Sequence, residues 1–455
     1  MSSKLDLLVK GDVVLQFEVA KNSSVGIKNG LIVGLYGSRD LPEAEEIVDA
    51  QGCLIFPGVV DAHVHSYSYP EEGFEHSTRA AAAGGVTTIV EMPYDDAGKL
   101  TSPERFEKKV DLIRQHATVD VALLGTVEKD GNTDNIASLV EMGICGFKLS
   151  VNEADPVRFP KIEDGVLMNV LPVIARHGVP VGFHAENDDI IKRRIAQFIK
   201  QKKTDPKAHC ESRPPVSETL PVLQLCELAF WTGVHLHFYH ISVPRSVHLI
   251  EHYRDAGVDI TLETCPHYLV LNEEDMDRLK AFAKINPPVR KREDQEELWE
   301  LLNCGLIDIV SSDHAPWPLS RKQAANIFEN SSGAPGVETM LALLYSEGVD
   351  KRNISPVLLA QVLSEAPARR FLLYPRKGHI ALGADADLAI IDPSASWRLH
   401  AADLQSSVGW TPYEGMAIKG RVVRTILRGK TIYDGKTLTV QPGYGRFVPA
   451  RREED

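Results

Sequence analysis

Two histidines, His63 and His65, end the apolar segment VVDAHVH and are the first residues in the chain with clear chemical potential. Side chains two residues apart on an extended strand share a face, so both imidazoles and the carboxylate of Asp61 converge on one point. Neutral imidazoles are ligands for zinc-like divalent ions. Histidines also pack in protein interiors or lie on surfaces, so this pair alone leaves both interpretations open.

Four further apolar segments end in groups that suit a metal: Lys148, His184, His240 and Asp313. Each has an ordinary alternative on its own. A lysine can extend to solvent, a histidine can be a satisfied core residue, and an aspartate can cap a helix. Their occurrence at equivalent positions of successive predicted strands, together with the first two histidines, indicates a single metal centre.

The segment HLHFYHI offers three histidines, and strand parity separates them. His240 shares its face with two apolar residues, whereas His235 and His237 point the opposite way. If the apolar face is the inward one, His240 is the ligand. The other two histidines then face helices or support the ligands.

Lys148 requires a chemical explanation, because a protonated lysine repels metal ions. A desolvated lysine readily becomes the neutral amine, which can capture carbon dioxide as a carbamate. The two carbamate oxygens would bridge two divalent ions, and a pair of ions about 3.5–4 Å apart forms a hydrolytic centre. We therefore predict two divalent ions per chain and an N6-carboxylated Lys148.

The expected nucleophile is a water or hydroxide shared by the two ions, because metal binding lowers its pKa towards neutrality. Asp313 is the expected catalytic residue, since a carboxylate touching that hydroxide can accept its proton and return it to the leaving nitrogen. The sequence contains no GxSxG segment that would indicate a serine nucleophile.

The elements that must position these groups follow the pattern of a parallel α/β fold between residues 56 and 371. Eight strand candidates occur there: VVDAHVH, VTTIVEM, VALLGTV, GICGFKL, VPVGFHA, HLHFYHI, VDITLET and IDIVSSD. Eight strands suit a closed (β/α)₈ (TIM) barrel with its active site at the carboxyl ends of the strands. Short segments with the pattern of β-strands also occur at both chain ends, which predicts a discontinuous β-sandwich formed by residues 1–55 and 372–455.

Composition restricts the class of partner. The chain of 455 residues has a formal net charge of -13 and no clustered basic surface of the kind that nucleic acid requires. We see no signal-peptide pattern or membrane-spanning apolar run, and the six cysteines form no CxxC pair. These features predict a cytoplasmic protein with a small-molecule partner, bound to neither nucleic acid nor membrane.

Several segments together resemble the cyclic amidohydrolases, a group of allantoinases, hydantoinases, dihydropyrimidinases and dihydroorotases. They are FPGVVDAHVH, GFKLS, GFHAEN, HFYHIS, ETCPHYL, NPPVR and SSDHAPW, with a closing segment KGHIALGADADLAIIDP. The resemblance covers nearly the whole chain. It implies that the metal ligands are His63, His65, Lys148, His184, His240 and Asp313. It also implies a homo-oligomer, with a tetramer favoured. Zinc is the expected metal, with cobalt, manganese or iron as alternatives that the same ligands accept.

Within that group, two positions discriminate between activities. Ser66 stands where dihydroorotase-like sequences place an arginine, and Glu153 stands where hydantoinases and dihydropyrimidinases place a tyrosine. The remaining segments resemble allantoinases most, which implies ring opening of allantoin to allantoate. The alternatives are hydrolysis of another hydantoin, dihydropyrimidine, imide or lactone, or a non-catalytic scaffold related to dihydropyrimidinases; the complete ligand set argues against the scaffold.

The segment LSVNEADPVRFPKI departs from allantoinase-like sequences and brings Arg158 to the expected substrate loop. Either Arg158 or Arg245 could receive a substrate carboxylate, although a surface ion pair is the ordinary alternative for each. Asn286 and the loop ending at Gly336 match positions where the family holds the amide of the ring. These four residues are the predicted substrate contacts.

Overall fold

The computed structural model describes residues 4–39 and 41–451. Its strands are β1 (Leu5–Val14), β2 (Val19–Lys28), β3 (Leu31–Tyr36), β4 (Ala44–Pro57), β5 (Val59–Val64), β6 (Val86–Glu91), β7 (Tyr94–Asp95), β8 (Gly98–Lys99), β9 (Asp120–Leu123), β10 (Phe147–Ser150), β11 (Val181–His184), β12 (Leu236–Phe238), β13 (Ile260–Thr264), β14 (Ile309–Val310), β15 (Leu388–Arg398), β16 (Ala417–Leu427) and β17 (Lys430–Tyr433).

The α-helices are α1 (Gly73–Ala83), α2 (Pro103–His116), α3 (Ile136–Glu141), α4 (Asp164–Ala175), α5 (Asp188–Lys200), α6 (Pro206–Ser212), α7 (Val216–Thr232), α8 (Pro244–Asp255), α9 (Pro266–Val270), α10 (Met276–Leu279), α11 (Arg292–Asn303), α12 (Met340–Leu344), α13 (Pro356–Ala360) and α14 (Ala366–Arg370). Local sequence explains several helix starts. Ser102 caps α2 ahead of a proline, and Asn187 caps α5 ahead of two aspartates.

The eight predicted strand segments all contain strands, and they form the barrel. Parallel pairing joins β5, β6 and β9 in one sheet and β10 to β14 in another. Parallel bridges between Gly125 and Phe147 and between Val64 and His314 connect the two sheets into a closed ring. These strands read as continuous apolar runs because both of their faces are covered. The predicted (β/α)₈ barrel is confirmed.

A second, sheet-rich unit is built from both chain ends, as predicted. Hydrogen bonds join its seven strands in the order β17-β16-β15-β4-β1-β2-β3. The long strand β4 lies between N-terminal β1, to which it is parallel, and C-terminal β15, to which it is antiparallel. We propose that residues 1–55 and 372–455 form this unit and that residues 56–371 form the barrel. Residues 1–3, 40 and 452–455 lie outside the described residues.

A buried ion network lies where the two units meet. The Lys377 ammonium lies 2.7 Å from Asp120 and 2.8 Å from both Asp385 and Asp387, and the Arg428 guanidinium also pairs with Asp120. Asp120 is the first residue of β9. The network is therefore at the amino end of a barrel strand, opposite the carboxyl ends where chemistry is expected.

Among the described residues, no helix combines the length and the apolar character needed to span a bilayer.

Candidate metal centre

The six predicted ligands line one cavity at the carboxyl end of the barrel, with a volume of about 440 Å³. His63 lies in β5, Lys148 in β10 and His184 at the end of β11. His65, His240 and Asp313 follow β5, β12 and β14 by one to three residues. The barrel thus brings together side chains that are up to 250 residues apart in sequence, from His63 to Asp313.

Three of these side chains form a compact group. The Nε2 atom of His63 lies 3.2 Å from Nε2 of His65 and 3.3 Å from Oδ1 of Asp313, and His65 Nε2 lies 3.6 Å from the same oxygen. Two imidazole nitrogens and a carboxylate oxygen are the donor types that hold a zinc-like divalent ion. This trio is the clearest candidate metal site in the described part of the chain.

The other three predicted ligands, Lys148, His184 and His240, line the same cavity. His184 Nδ1 and His240 Nε2 face each other at 2.9 Å. The Lys148 ammonium group lies 3.5 Å from the centre of the Tyr239 ring and forms no ion pair with any described carboxylate. Lys148 lines the same cavity as both sets of candidate ligand atoms.

The backbone is strained at two of the candidate ligands. His240 and Asp313 have φ values of 42° and 44°, in the left-handed region that non-glycine residues seldom occupy. Such conformations cost on the order of 1–3 kcal/mol each and persist where the surroundings impose them, often at functional sites. Both turns aim the side chain back into the cavity just after the strand ends.

Glu263, which sequence reasoning did not select, orients His63. This buried residue of β13 accepts a hydrogen bond from His63 Nδ1 at 2.7 Å, which leaves the Nε2 lone pair free to face Asp313. It also lies 3.4 Å from His237 Nε2. The only sequence signal was a carboxylate within a buried strand, in the segment ETCPHYL.

His184 is held in the same way by Glu186. The Nε2 atom of His184 donates to Glu186 at 2.8 Å, so its Nδ1 atom is the one available to a metal. Arg213 donates to the same carboxylate at 2.6 Å. Burial alone would raise the pKa of Glu186, but Arg213 and His184 together hold this pKa well below its usual range. The carboxylate is thus ionised and able to fix the ring.

The electrostatics keep the centre in metal-binding form. Burial, followed by the nearby Lys148 charge, lowers the pKa values of His63 and His65, so both imidazoles are neutral. Burial lowers the pKa of Lys148 to about 7, despite the opposing effect of Glu263 and Asp313. Burial raises the pKa of Asp313 to about 7. The imidazoles are thus neutral ligands in a desolvated pocket, where a divalent ion would compensate the buried Asp313 carboxylate.

The predicted substrate contacts divide into two pairs. Arg158 and Asn286 line the cavity. Arg245 is an exposed residue in the first turn of α8 and does not line the cavity. Gly336 is buried outside the cavity, and its N–H donates to His314 Nδ1 at 3.1 Å, so this N–H is not free for a substrate. Gly333 of the same loop lines the cavity instead.

The other histidines of the β12 segment have supporting positions. His237 is buried, with Nδ1 2.8 Å from Thr261 Oγ1, whereas His235 is partly exposed and lies 3.4 Å from Asp259. Of the three, only His240 lines the cavity.

Comparison with known proteins identifies the family. Residues 54–432 match the model of the amidohydrolase family. An allantoinase of Rubrobacter xylanophilus is 39% identical, with 99% of each chain covered, and an allantoinase of Deinococcus radiodurans is 35% identical over 98% of this chain and 99% of the relative. The L-hydantoinase (dihydropyrimidinase) from Arthrobacter aurescens superposes with a TM-score of 0.93 at 32% identity, covering 98% of this chain and all of that one. The chain belongs to the amidohydrolase family, which implies divalent metal ions, and its His63–His65–Asp313 cluster has the donors to hold one.

Proposed function

We propose that this amidohydrolase opens the ring of allantoin by hydrolysing one cyclic amide bond, which yields allantoate. The observation that carries the proposal is the convergence of four imidazoles, a carboxylate and a desolvated lysine on the floor of one cavity. Full-length similarity to two allantoinases supports the choice of ring. The complete ligand set argues against a non-catalytic scaffold.

We further propose that the ligands hold two divalent ions, of which zinc is favoured over cobalt, manganese and iron. Bound ions of this kind acidify a water molecule and polarise the carbonyl under attack. His63, His65 and Asp313 would hold one ion, and His184 with His240 the other. Lys148, carrying carbon dioxide on Nζ as a carbamate, would join them.

The chain's own groups account for the proton transfers. In the proposed reaction the Asp313 carboxylate accepts a proton from the attacking water and delivers it to the ring nitrogen as the C–N bond breaks. Glu263 and Glu186 keep the two histidines in the required tautomers.

Asn286 is suited to recognise the amide edge of the ring. With its side-chain amide oriented to suit its neighbours, it donates to Ser332 Oγ at 3.1 Å and accepts from Arg213 at 3.3 Å. These contacts fix a flat donor and acceptor group on the cavity wall. Such a group matches the donor and acceptor pattern of a cyclic amide.

A second candidate is hydrolysis of a related hydantoin or dihydropyrimidine. It is favoured by the superposition on the Arthrobacter L-hydantoinase and on a dihydropyrimidinase from Brevibacillus agri, with a TM-score of 0.90 at 28% identity. Cyclic imides and lactones complete this set, since attack at a polarised ring carbonyl is common to all of them.

The deciding experiment measures turnover by metal-loaded protein of allantoin, hydantoin, dihydrouracil, dihydroorotate and succinimide. We expect allantoin to have the highest kcat/KM. His240→Gln should abolish turnover, while the matched control His235→Gln, which changes a partly exposed histidine of the same segment, should retain it. Absence of allantoin turnover by the metal-loaded wild type would refute the assignment, even if another ring were opened.

We also propose a homo-oligomer, with a tetramer favoured. Helix α7 exposes a row of apolar side chains that includes Trp231, 72% exposed, and Phe230, 47% exposed. Contiguous exposed apolar surface of this kind is common at subunit interfaces. Light scattering on the purified protein gives the mass directly, and a monomer at micromolar concentration would contradict this part of the proposal.

A further inference from the structure

Two arginines flank one tryptophan on the wall of the cavity above the candidate metal centre. The guanidinium carbon of Arg158 lies 5.7 Å from the ring centre of Trp317, and that of Arg321 lies 4.6 Å from it. Trp317 is buried and fixed at both ends: its indole N–H donates to Ser332 at 2.8 Å, and its carbonyl accepts from Trp410 at 2.7 Å. The indole is therefore a rigid platform that holds both cations near the cavity.

The other cations of this wall are neutralised by carboxylates. Lys192 pairs with Glu153 at 3.1 Å and with Asp188 at 2.9 Å, and Arg213 pairs with Glu186. Neither Arg158 nor Arg321 forms an ion pair with a carboxylate in residues 4–39 and 41–451.

The carboxylate nearest to Arg158 in sequence is already engaged. Asp155 accepts the backbone N–H groups of Val157 and Arg158 at 2.9 and 2.8 Å, which shapes the loop and leaves the guanidinium without a partner. Arg158 thus has no ion-pair partner among the described residues, and the more distant carboxylates of Asp155 and Asp96 only oppose the effect of burial on its pKa.

Arg158 is close to the centre and has spare hydrogen-bond donors. One of its terminal nitrogens donates to the Ser68 carbonyl at 3.2 Å, and Ser68 Oγ lies 3.4 Å from His65 Nδ1. A guanidinium has five N–H donors, so this single bond leaves most of them free. Burial lowers the pKa of Arg158, yet the group stays protonated at any physiological pH. Holding a half-buried cation without a counter-ion is costly unless an anion joins it.

We propose that Arg158, assisted by Arg321, receives a carboxylate on the exocyclic substituent of a substrate, so that the enzyme also hydrolyses cyclic ureides with an acidic side chain. This inference rests on the proposed ring hydrolysis and widens its substrate class. A guanidinium binds a carboxylate through two parallel hydrogen bonds, which a neutral substituent cannot accept as strongly.

The reaction on such a substrate is the same hydrolysis. Water adds to the ring carbonyl carbon, the ring C–N bond breaks, and the nitrogen takes one proton from water. The new carboxylic acid ionises and releases the other proton, while the exocyclic carboxylate stays unchanged on Arg158. No oxidant, reductant or further reactant is needed.

The test compares hydantoin-5-acetate with its primary amide, which has nearly the same shape but no charge, and uses allantoin in parallel. We expect wild-type kcat/KM to favour the acid over the amide by at least about tenfold, the factor expected from one well-formed charged contact. Arg158→Gln should bring this ratio close to one, and Arg321→Gln should reduce it less. Arg245→Gln is the matched control, because this exposed arginine lies outside the cavity and should leave the ratio unchanged.

Salt dependence provides a second readout that needs no variant. KM for the acid should rise with ionic strength while KM for the amide stays constant, because screening weakens only the charged contact. A wild-type ratio at or below one, or an Arg158→Gln ratio equal to that of the wild type, would overturn the proposal. If allantoin is hydrolysed and the acid is not preferred, the acidic-substituent proposal fails and the proposed function stands. If no cyclic ureide is hydrolysed, both fail.

Discussion

Two fully buried lysines at opposite ends of the same barrel have contrasting surroundings. Lys377, at the amino end, is held by three carboxylates, and these raise its pKa although burial alone would lower it. Lys148, at the carboxyl end, contacts an aromatic ring and no ion-pair partner among the described residues, and burial lowers its pKa to about 7. A buried ammonium that is paired with carboxylates can hold structural units together. A buried lysine without an ion-pair partner is more readily deprotonated and so available for chemistry.

The same contrast holds for the acids. Burial would raise the pKa of Asp120, but Lys377 and Arg428 lower it overall, so its charged form is favoured. Burial raises the pKa of Asp313 to about 7, and only Lys148 opposes this change. The amino end of the barrel thus holds paired charges, and the carboxyl end, where active sites of this fold lie, holds buried groups with shifted pKa values.

The largest expected effect comes from Lys148→Ala. Activity should fall at least about a thousandfold, the size typical of losing a group that assembles a catalytic centre, while circular dichroism and thermal unfolding change little. Because a carbamate is a carboxylate in shape and charge, millimolar propionate should restore part of the activity of this variant. Normal turnover by Lys148→Ala would contradict the bridging role.

Lys377→Met should lower the stability of the protein but leave its turnover unchanged. Removing the cation leaves Asp387 without an ion-pair partner and leaves Asp120 and Asp385 with one arginine each, which costs about 3–5 kcal/mol of stability. Urea unfolding measures the loss, and the folded fraction should keep its metal content and its turnover per folded molecule. A variant as stable as the wild type would show that the network does not join the two units.

The sequence predicts the candidate ligands at the carboxyl end of the barrel but not the ion network at its amino end. The six candidate ligands were found because each ends an apolar strand segment, and strand ends of a barrel converge whatever the rest of the chain does. Lys377 gave no comparable signal, since its partner Asp120 is 257 residues away and the pairing depends on how the two units pack.

Other differences also have physical reasons. Glu263 lies within its strand rather than at the end, and its partner His63 is 200 residues away. Arg245 was expected at the cavity because it follows His240 closely, but it enters α8 on the exposed side while its neighbours Pro244, Ser246 and Val247 are buried. Sequence spacing alone does not predict which residues of a short helix that begins at a proline face solvent.

Glu263→Gln tests whether the hydrogen bond to His63 Nδ1 supports metal binding. The amide keeps the size of the side chain but no longer favours the His63 tautomer that offers Nε2. Loss of such a supporting partner typically lowers metal affinity or activity about 10- to 100-fold. Metal titration with a competing chelator measures the affinity, and an unchanged affinity with unchanged activity would show that Glu263 does not support His63.

The smallest expected effect is in the pH dependence of stability at the amino end. Because the pKa of Asp120 is lowered in the folded protein, its contribution is present above the unfolded value and is lost as pH falls through the folded value. Asp120→Asn should therefore be less stable than the wild type at pH 7, and the difference should shrink, by on the order of 1 kcal/mol, as pH falls below about 4. Parallel stability curves for the two proteins would contradict this assignment.

The most direct test of the central claim is anomalous diffraction from crystals of the metal-loaded protein. We expect two metal peaks about 3.5–4 Å apart at the carboxyl end of the barrel, joined by electron density that extends Lys148 Nζ by a carboxylate group. A single peak bound by His63, His65 and Asp313, with an unmodified Lys148 amine, would contradict it.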